Sequence, residues 1–226
     1  MTDEREVTRR RVQALVGRDL KPVRPLWRPG YRLLLMIPLA VFALWFAAVE
    51  PRMELGSLGL VWGWGLTALQ WMSGLLILAA ALHLAVPGNR GSIRALGAVC
   101  GLVTALLLVI MVVTFWREPT VVPPGRSFVF WYECVLGPLE LGLPVLGLAL
   151  LLAMRAHPTR PTLVGAMCGL AAGVFTESGW RLYCSVSAPA HVFSSHLLAV
   201  ALLTGAGAII AASIDRFRSR RAFTGR

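Results

Sequence analysis

The stretch at residues 128–154, FVFWYECVLGPLELGLPVLGLALLLAM, decides the fold class. It holds two carboxylates, Glu133 and Glu140, and no lysine or arginine. About 20 apolar helical residues cross the roughly 30 Å hydrocarbon core of a bilayer, so this block is long enough to span and to tilt. Lipid offers the backbone no hydrogen-bond partners, so such a block folds as an α-helix, which satisfies its own N–H and C=O groups. Five more blocks of this kind flank it, at about 31–49, 60–86, 93–116, 163–183 and 191–214. The sequence therefore predicts an all-α polytopic membrane protein. Its six transmembrane helices fill residues 31–214, between a basic tail at 1–30 and a second at 215–226.

Composition points the same way. The chain is 57% hydrophobic and 15% charged, whereas a soluble domain carries about 25% charged residues. A net charge of +11 invites a nucleic-acid reading, but the arginines sit in tails and short loops rather than along a groove-binding surface, so no direct nucleic-acid contact is expected. Sorted by side of the six spans, 17 Lys and Arg residues fall with the two termini and four (Arg52, Arg117, Arg126, Arg181) on the other side, with Arg32 at the mouth of the first span on the terminal side. The positive-inside rule then puts both termini in the cytoplasm of a bacterial inner-membrane, multi-pass protein whose constant partner is the lipid bilayer. Residues 1–30 lack the apolar core and small-residue cleavage site of a signal peptide, and the block at 31–49 is expected to act as the first membrane-targeting segment.

Within the first tail, residues 5–20 read as a short helix with Val7, Val12, Leu15 and Val16 set among Arg9, Arg10, Arg11 and Arg18. Such a helix can dock a partner or lie on anionic headgroups, at about 1 kcal/mol per basic residue. The prolines at 22, 25 and 29 impose an extended segment before the first span.

The six-span topology sorts the cysteines. Cys100 and Cys168 lie near the cytoplasmic ends of their helices, whereas Cys134 and Cys184 share the outer face, the oxidising one in a bacterium. The outer pair can close a disulfide, offer thiolates to a metal, or serve as small apolar side chains at helix ends. Around them the chain places Glu133, Glu140, Glu177, Arg181, His191 and His196. Charges inside a membrane segment are costly and usually paired, and the i,i+4 spacing of Glu177 and Arg181 suggests a local ion pair. Cys134, Cys184 and His191 together suit a soft or borderline metal. Trp62, Trp64 and Trp71 read as packing residues. The segments Gly97–Leu102 and Gly165–Leu170 echo each other, with glycines four apart that let helices approach closely. The chain lacks a P-loop, dinucleotide fingerprint, nucleophile elbow, His-Glu-x-x-His and CxxC, so neither an enzyme nor a bound cofactor is expected. A small membrane transporter or a membrane thiol oxidoreductase is the alternative.

Several stretches resemble one known family. Cys134, the run Leu150-Leu151-Leu152-Ala153-Met154-Arg155-Ala156-His157-Pro158-Thr159-Arg160-Pro161, then Gly165-Ala166, Gly169-Leu170-Ala171-Ala172-Gly173 and Tyr183-Cys184 are similar to the NrsF family, as is Asp19-Leu20-Lys21-Pro22-Val23-Arg24-Pro25-Leu26 before the first span. The resemblance implies a six-span anti-sigma factor. Such a protein sequesters an extracytoplasmic-function sigma factor through cytoplasmic segments and releases it on oxidative or heavy-metal stress. It further implies that Cys134 and Cys184 are the sensing pair. The short helix in the first tail, with Arg9, Arg10, Arg11, Leu15 and Arg18, is the expected docking element for the sigma factor. This chain departs from the family in carrying Tyr183 where a histidine usually precedes the second cysteine, and residues 50–130 show little resemblance.

Overall fold

The computed structural model describes residues 2–19, 26–47, 49, 51, 59, 61–88, 93–117 and 127–224. Residues 20–25, which include most of the expected extended segment, and Arg52, Arg90 and Arg126 lie outside the described residues. The described residues form seven long helices: α1 Thr2–Asp19, α2 Pro29–Ala47, α3 Leu66–Leu84, α4 Ile93–Arg117, α5 Ser127–Met154, α6 Pro161–Tyr183 and α7 Leu197–Thr224. Two wide π turns, Val61–Gly65 and Val192–His196, lead into α3 and α7. Proline opens α2 and α6, where its missing N–H belongs to a first turn that has no intrahelical acceptor.

Among the described residues, five segments are long and apolar enough to cross a membrane: Pro29–Phe46, Val61–Leu84, Arg94–Thr114, Trp131–Met154 and Pro189–Arg221. The fifth expected span, α6, is not among them, and its place in the bundle explains why. It is the central helix, packed against α2, α3, α5 and α7. From Ala171 through Gly179 every residue is buried. A helix sheathed in protein needs no lipid-compatible surface, so α6 can carry Thr176, Glu177, Ser178 and Arg181 at a cost in hydropathy.

Small residues set how closely α6 and α7 approach. A Cβ on Gly165 would strike the Gly207 carbonyl, and one on Gly169 would strike the Leu203 carbonyl. Close backbone approach of this kind stands in for the hydrophobic driving force that lipid removes. The echoed glycines on α4 behave differently, since Gly97 and Gly101 have open space where a Cβ would lie. The internal similarity thus has a packing role in one copy only.

Arg32 ties the opposite end of the bundle together. Expected at the mouth of the first span, it is buried, and its guanidinium donates to the carbonyls of Leu82 and Leu152 at 3.1 Å each. Those carbonyls lie in the last turns of α3 and α5, where no intrahelical donor remains and the helix dipoles favour a cation. Arg218 of α7 donates to the Met154 carbonyl at 2.7 Å in the same way. Trp71 packs as expected, against Phe175 and with its Nε1 donating to the Ala40 carbonyl at 3.3 Å, whereas Trp62 and Trp64 are exposed.

Candidate functional site

At the end of the bundle away from Arg32, three chain segments bring four ligating side chains together. Cys134 sits near the start of α5, and Cys184 follows α6 with an extended backbone (φ −71°, ψ 121°). The chain then turns back, and His191 caps the π turn that opens α7 while His196 ends it. In an α-helix, residues five apart are about 140° apart around the axis. A π turn closes i to i+5, which puts such residues on one face. The two imidazoles accordingly meet edge to face, with centroids 5.4 Å apart.

The Cys134 thiol donates to Cys184 Sγ at 3.3 Å, and His191 Nε2 lies 3.5 Å from that same sulfur. One ligating atom from each of Cys134, Cys184, His191 and His196 lies within 4.8 Å of the others. His196 Nδ1 faces both oxygens of Glu177 at 3.0 Å each, and its Nε2 is buried with no hydrogen-bond partner. The carboxylate accepts from a protonated Nδ1, so the nitrogen that the ring can free for an ion, on losing its other proton, is Nε2. This carboxylate–histidine arrangement is the one that orients metal-ligating histidines. Two thiolates on one tetrahedral ion with about 2.3 Å bonds lie about 3.8 Å apart, so the donor set fits an ion such as zinc after small adjustments.

The surroundings favour the charges such a site would hold. Cys184, in the loop beyond α6, has its thiol held below the ordinary range, first by the hydrogen bond from Cys134 and then by His191 and His196, against the opposing effect of burial. Arg181, four residues beyond Glu177 on α6, reaches across to other segments. It donates to Thr114 Oγ1, Thr67 Oγ1 and the carbonyls of Trp62 and Gly63, at 2.8–3.2 Å. The last two belong to the first π turn, which takes their carbonyls out of the regular α ladder. Glu177, Arg181, Cys184 and His196 line one cavity of about 20 Å³, room for a single water-sized molecule. Gln70 lines it too, and both its amide atoms are buried without partners. Trp180 and Val186 pack over the two sulfurs, and Trp180 occupies space that a side chain on Gly137 would fill.

Of the residues expected near the cysteines, Glu177, Arg181, His191 and His196 belong to the cluster or its cavity, whereas Glu133 and Glu140 are exposed on α5 and take no part. The expected partner-binding residues Arg9, Arg10 and Arg11 are exposed on α1, the helix that also carries Leu15 and Arg18. Cys168 is buried in the main core, with Cys100 half-buried against it. The sequence reading missed Gln70, Thr114 and Trp180. A glutamine inside an otherwise apolar span was the one available signal, because a buried polar side chain needs a reason to be there.

A family model described as negative regulator of sigma F (NrsF) matches residues 16–217. No curated protein and no solved structure matches the chain. The match covers both cysteines, both histidines and Glu177, and by it the chain belongs to the NrsF family, negative regulators of a sigma factor.

Proposed function

We propose that the protein is a six-span anti-sigma factor of the bacterial inner membrane with both termini in the cytoplasm. In this reading it is a regulator and not an enzyme. It holds an extracytoplasmic-function sigma factor through its basic first segment and releases it when the Cys134–Cys184 pair on the outer face is oxidised or metallated. The observation that carries the reading is the convergence of Cys134, Cys184, His191 and His196 at the end of the bundle remote from the arginine-rich end. Binding a divalent soft ion releases two thiol protons and forms two metal–sulfur bonds. The loaded site is then neutral overall, with the ion balanced by two thiolates and Glu177 balanced by Arg181. Oxidation instead removes two electrons and two protons from the same thiols to an external oxidant and joins the sulfurs. His191 and His196 supply imidazoles where Tyr183 leaves the family's usual histidine missing.

Oxidation draws the two sulfurs in from 3.3 Å to about 2.0 Å, whereas metallation spreads them to about 3.8 Å, so either event shifts the first turns of α5 relative to the α6–α7 connection. Because α6 and α7 are locked by glycine contacts, α5 is the helix that yields. Its far end is fastened to α2 by Arg32, and α2 continues from the segment that holds the partner. Packed helices tend to two discrete arrangements, so a small displacement at one end can switch the other. Moving the population from 1:99 to 99:1 takes about 5.5 kcal/mol of differential stabilisation, within reach of a metal–thiolate site.

The test is purification of the tagged full-length protein in mild detergent, with and without cadmium or oxidant treatment of the cells. A sigma factor that co-purifies, is lost on deleting residues 1–30, and is released by stress only when both cysteines are present supports the reading. Normal release from a Cys134→Ser, Cys184→Ser double variant overturns the switch.

A further inference from the structure

At the arginine-rich end, Arg32, Arg155, His157 and Arg218 line one cavity of about 270 Å³, with Trp27 at its edge and no acidic residue among the described residues of its wall. Arg32 is the built element, 2% exposed, with its Nε buried and unpartnered. His157 adopts φ 52°, a left-handed backbone that non-glycine residues rarely take. The C-terminal dipole of α5 contributes about half a negative charge there, which offsets only part of three guanidiniums. The cavity is therefore a site for an anion.

A second feature says which anion. Arg155 and Arg218 also close the head of an apolar groove of about 290 Å³ between α5 and α7, walled by Leu143, Leu150, Ile210 and Ile214. From Leu143 to Met154 the groove follows α5 for about 16 Å, the rise of 11 helical residues. That is the depth of one bilayer leaflet, about 15 Å. Gly147 lines the groove, with open space where a Cβ would stand. A phosphate held by arginines at the head of a leaflet-deep apolar channel is the geometry of a phospholipid.

We propose that the pocket formed by Arg32, Arg155, His157 and Arg218 binds the phosphate of an anionic phospholipid whose acyl chain lies in the α5–α7 groove. The assignment rests on the membrane-spanning reading of the helices and not on the cysteine switch. Bound there, the lipid touches Leu26 and Trp27, so it fixes the segment that joins the first helix to the bundle. A free phosphate would use the same arginines and leave the groove unused.

Native mass spectrometry of the full-length protein, loaded in detergent with cardiolipin, phosphatidylglycerol or phosphatidylcholine, tests this. The wild-type protein is expected to retain the two anionic lipids in preference to phosphatidylcholine. Arg155→Gln with Arg218→Gln removes two charges at about 1 kcal/mol each near a membrane surface, a loss of roughly 25-fold in affinity. Arg216→Gln, an exposed charge on the same helix outside the cavity, should leave retention unchanged. Gly147→Leu fills the groove and should weaken lipid retention while leaving competition by inorganic phosphate intact. Equal retention of phosphatidylcholine, or an unaffected double variant, overturns the site. Full competition by phosphate together with an inert Gly147→Leu overturns the lipid assignment in favour of a soluble anion. Arg32 is left unchanged in these variants because it also fastens α2 to α3 and α5, and metal release of the sigma factor is scored separately so that the two readings fail independently.

Discussion

Replacing Glu177 by glutamine isolates the outer support of the metal-ready cluster. In the native protein the carboxylate is buried and meets His196 Nδ1 with both oxygens at 3.0 Å. Glutamine keeps one acceptor for the Nδ1 proton but loses the negative charge that strengthens Nε2 as a donor to an ion. Loss of an outer-shell partner costs about 10–100-fold in metal affinity, or about 1.4–2.8 kcal/mol. Glutamine should fall near the lower figure. Glu177→Leu should reach the upper one, because it also leaves a buried N–H unpaired, itself a cost of about 1–3 kcal/mol. The assay is competition for zinc or cadmium between the detergent-purified full-length protein and a chromophoric chelator. Thermal midpoints without metal verify that each variant is folded. If both folded variants bind metal as tightly as the wild type while Cys134→Ser does not, His196 is not a ligand and the four-residue site is wrong.

Other expectations follow from the same geometry. Gly169→Val drives a side chain into the Leu203 carbonyl and should destabilise the α6–α7 pair by about 3 kcal/mol, the upper end for overpacking, read as a lowered thermal midpoint in detergent. Arg181→Met strips donors from the Trp62 and Gly63 carbonyls and from two threonines, so a loss of about 3 kcal/mol or more is expected, and unchanged thermal stability would deny the guanidinium that role. Since the Cys184 thiol is held below the ordinary range by the hydrogen bond from Cys134 and by its histidine neighbours, alkylation followed by peptide mass analysis should label Cys184 first. Its labelling rate should also vary little between about pH 7 and 8.5, where an ordinary thiol gains thiolate steeply. Treatment of the wild-type protein with a mild oxidant should produce a Cys134–Cys184 disulfide on non-reducing peptide mapping, and a link to Cys100 or Cys168 instead would contradict the observed pairing.

The amino-acid sequence alone determined the helical, membrane-compatible architecture, because apolar blocks of this length have one way to satisfy their backbone in lipid. It also placed Cys134 and Cys184 at one end of the bundle, since successive spans must alternate direction. It left three things open that depend on how helices rotate and pack. The first was α6, whose Glu177 and Arg181 looked like a local pair. Its position at the centre of the bundle gives each a partner on another segment that spacing does not reveal, Glu177 to His196 and Arg181 to the π turn before α3. The second was the pairing of His191 with His196, hidden because an α-helical reading puts them on different faces and the π turn does not. The third was Arg32, which counts in the sequence as one more flanking charge and in the fold closes the ends of two helices. Length and hydropathy are properties of each segment by itself, whereas the partner of a buried charge is fixed by which neighbours tertiary packing sets beside it.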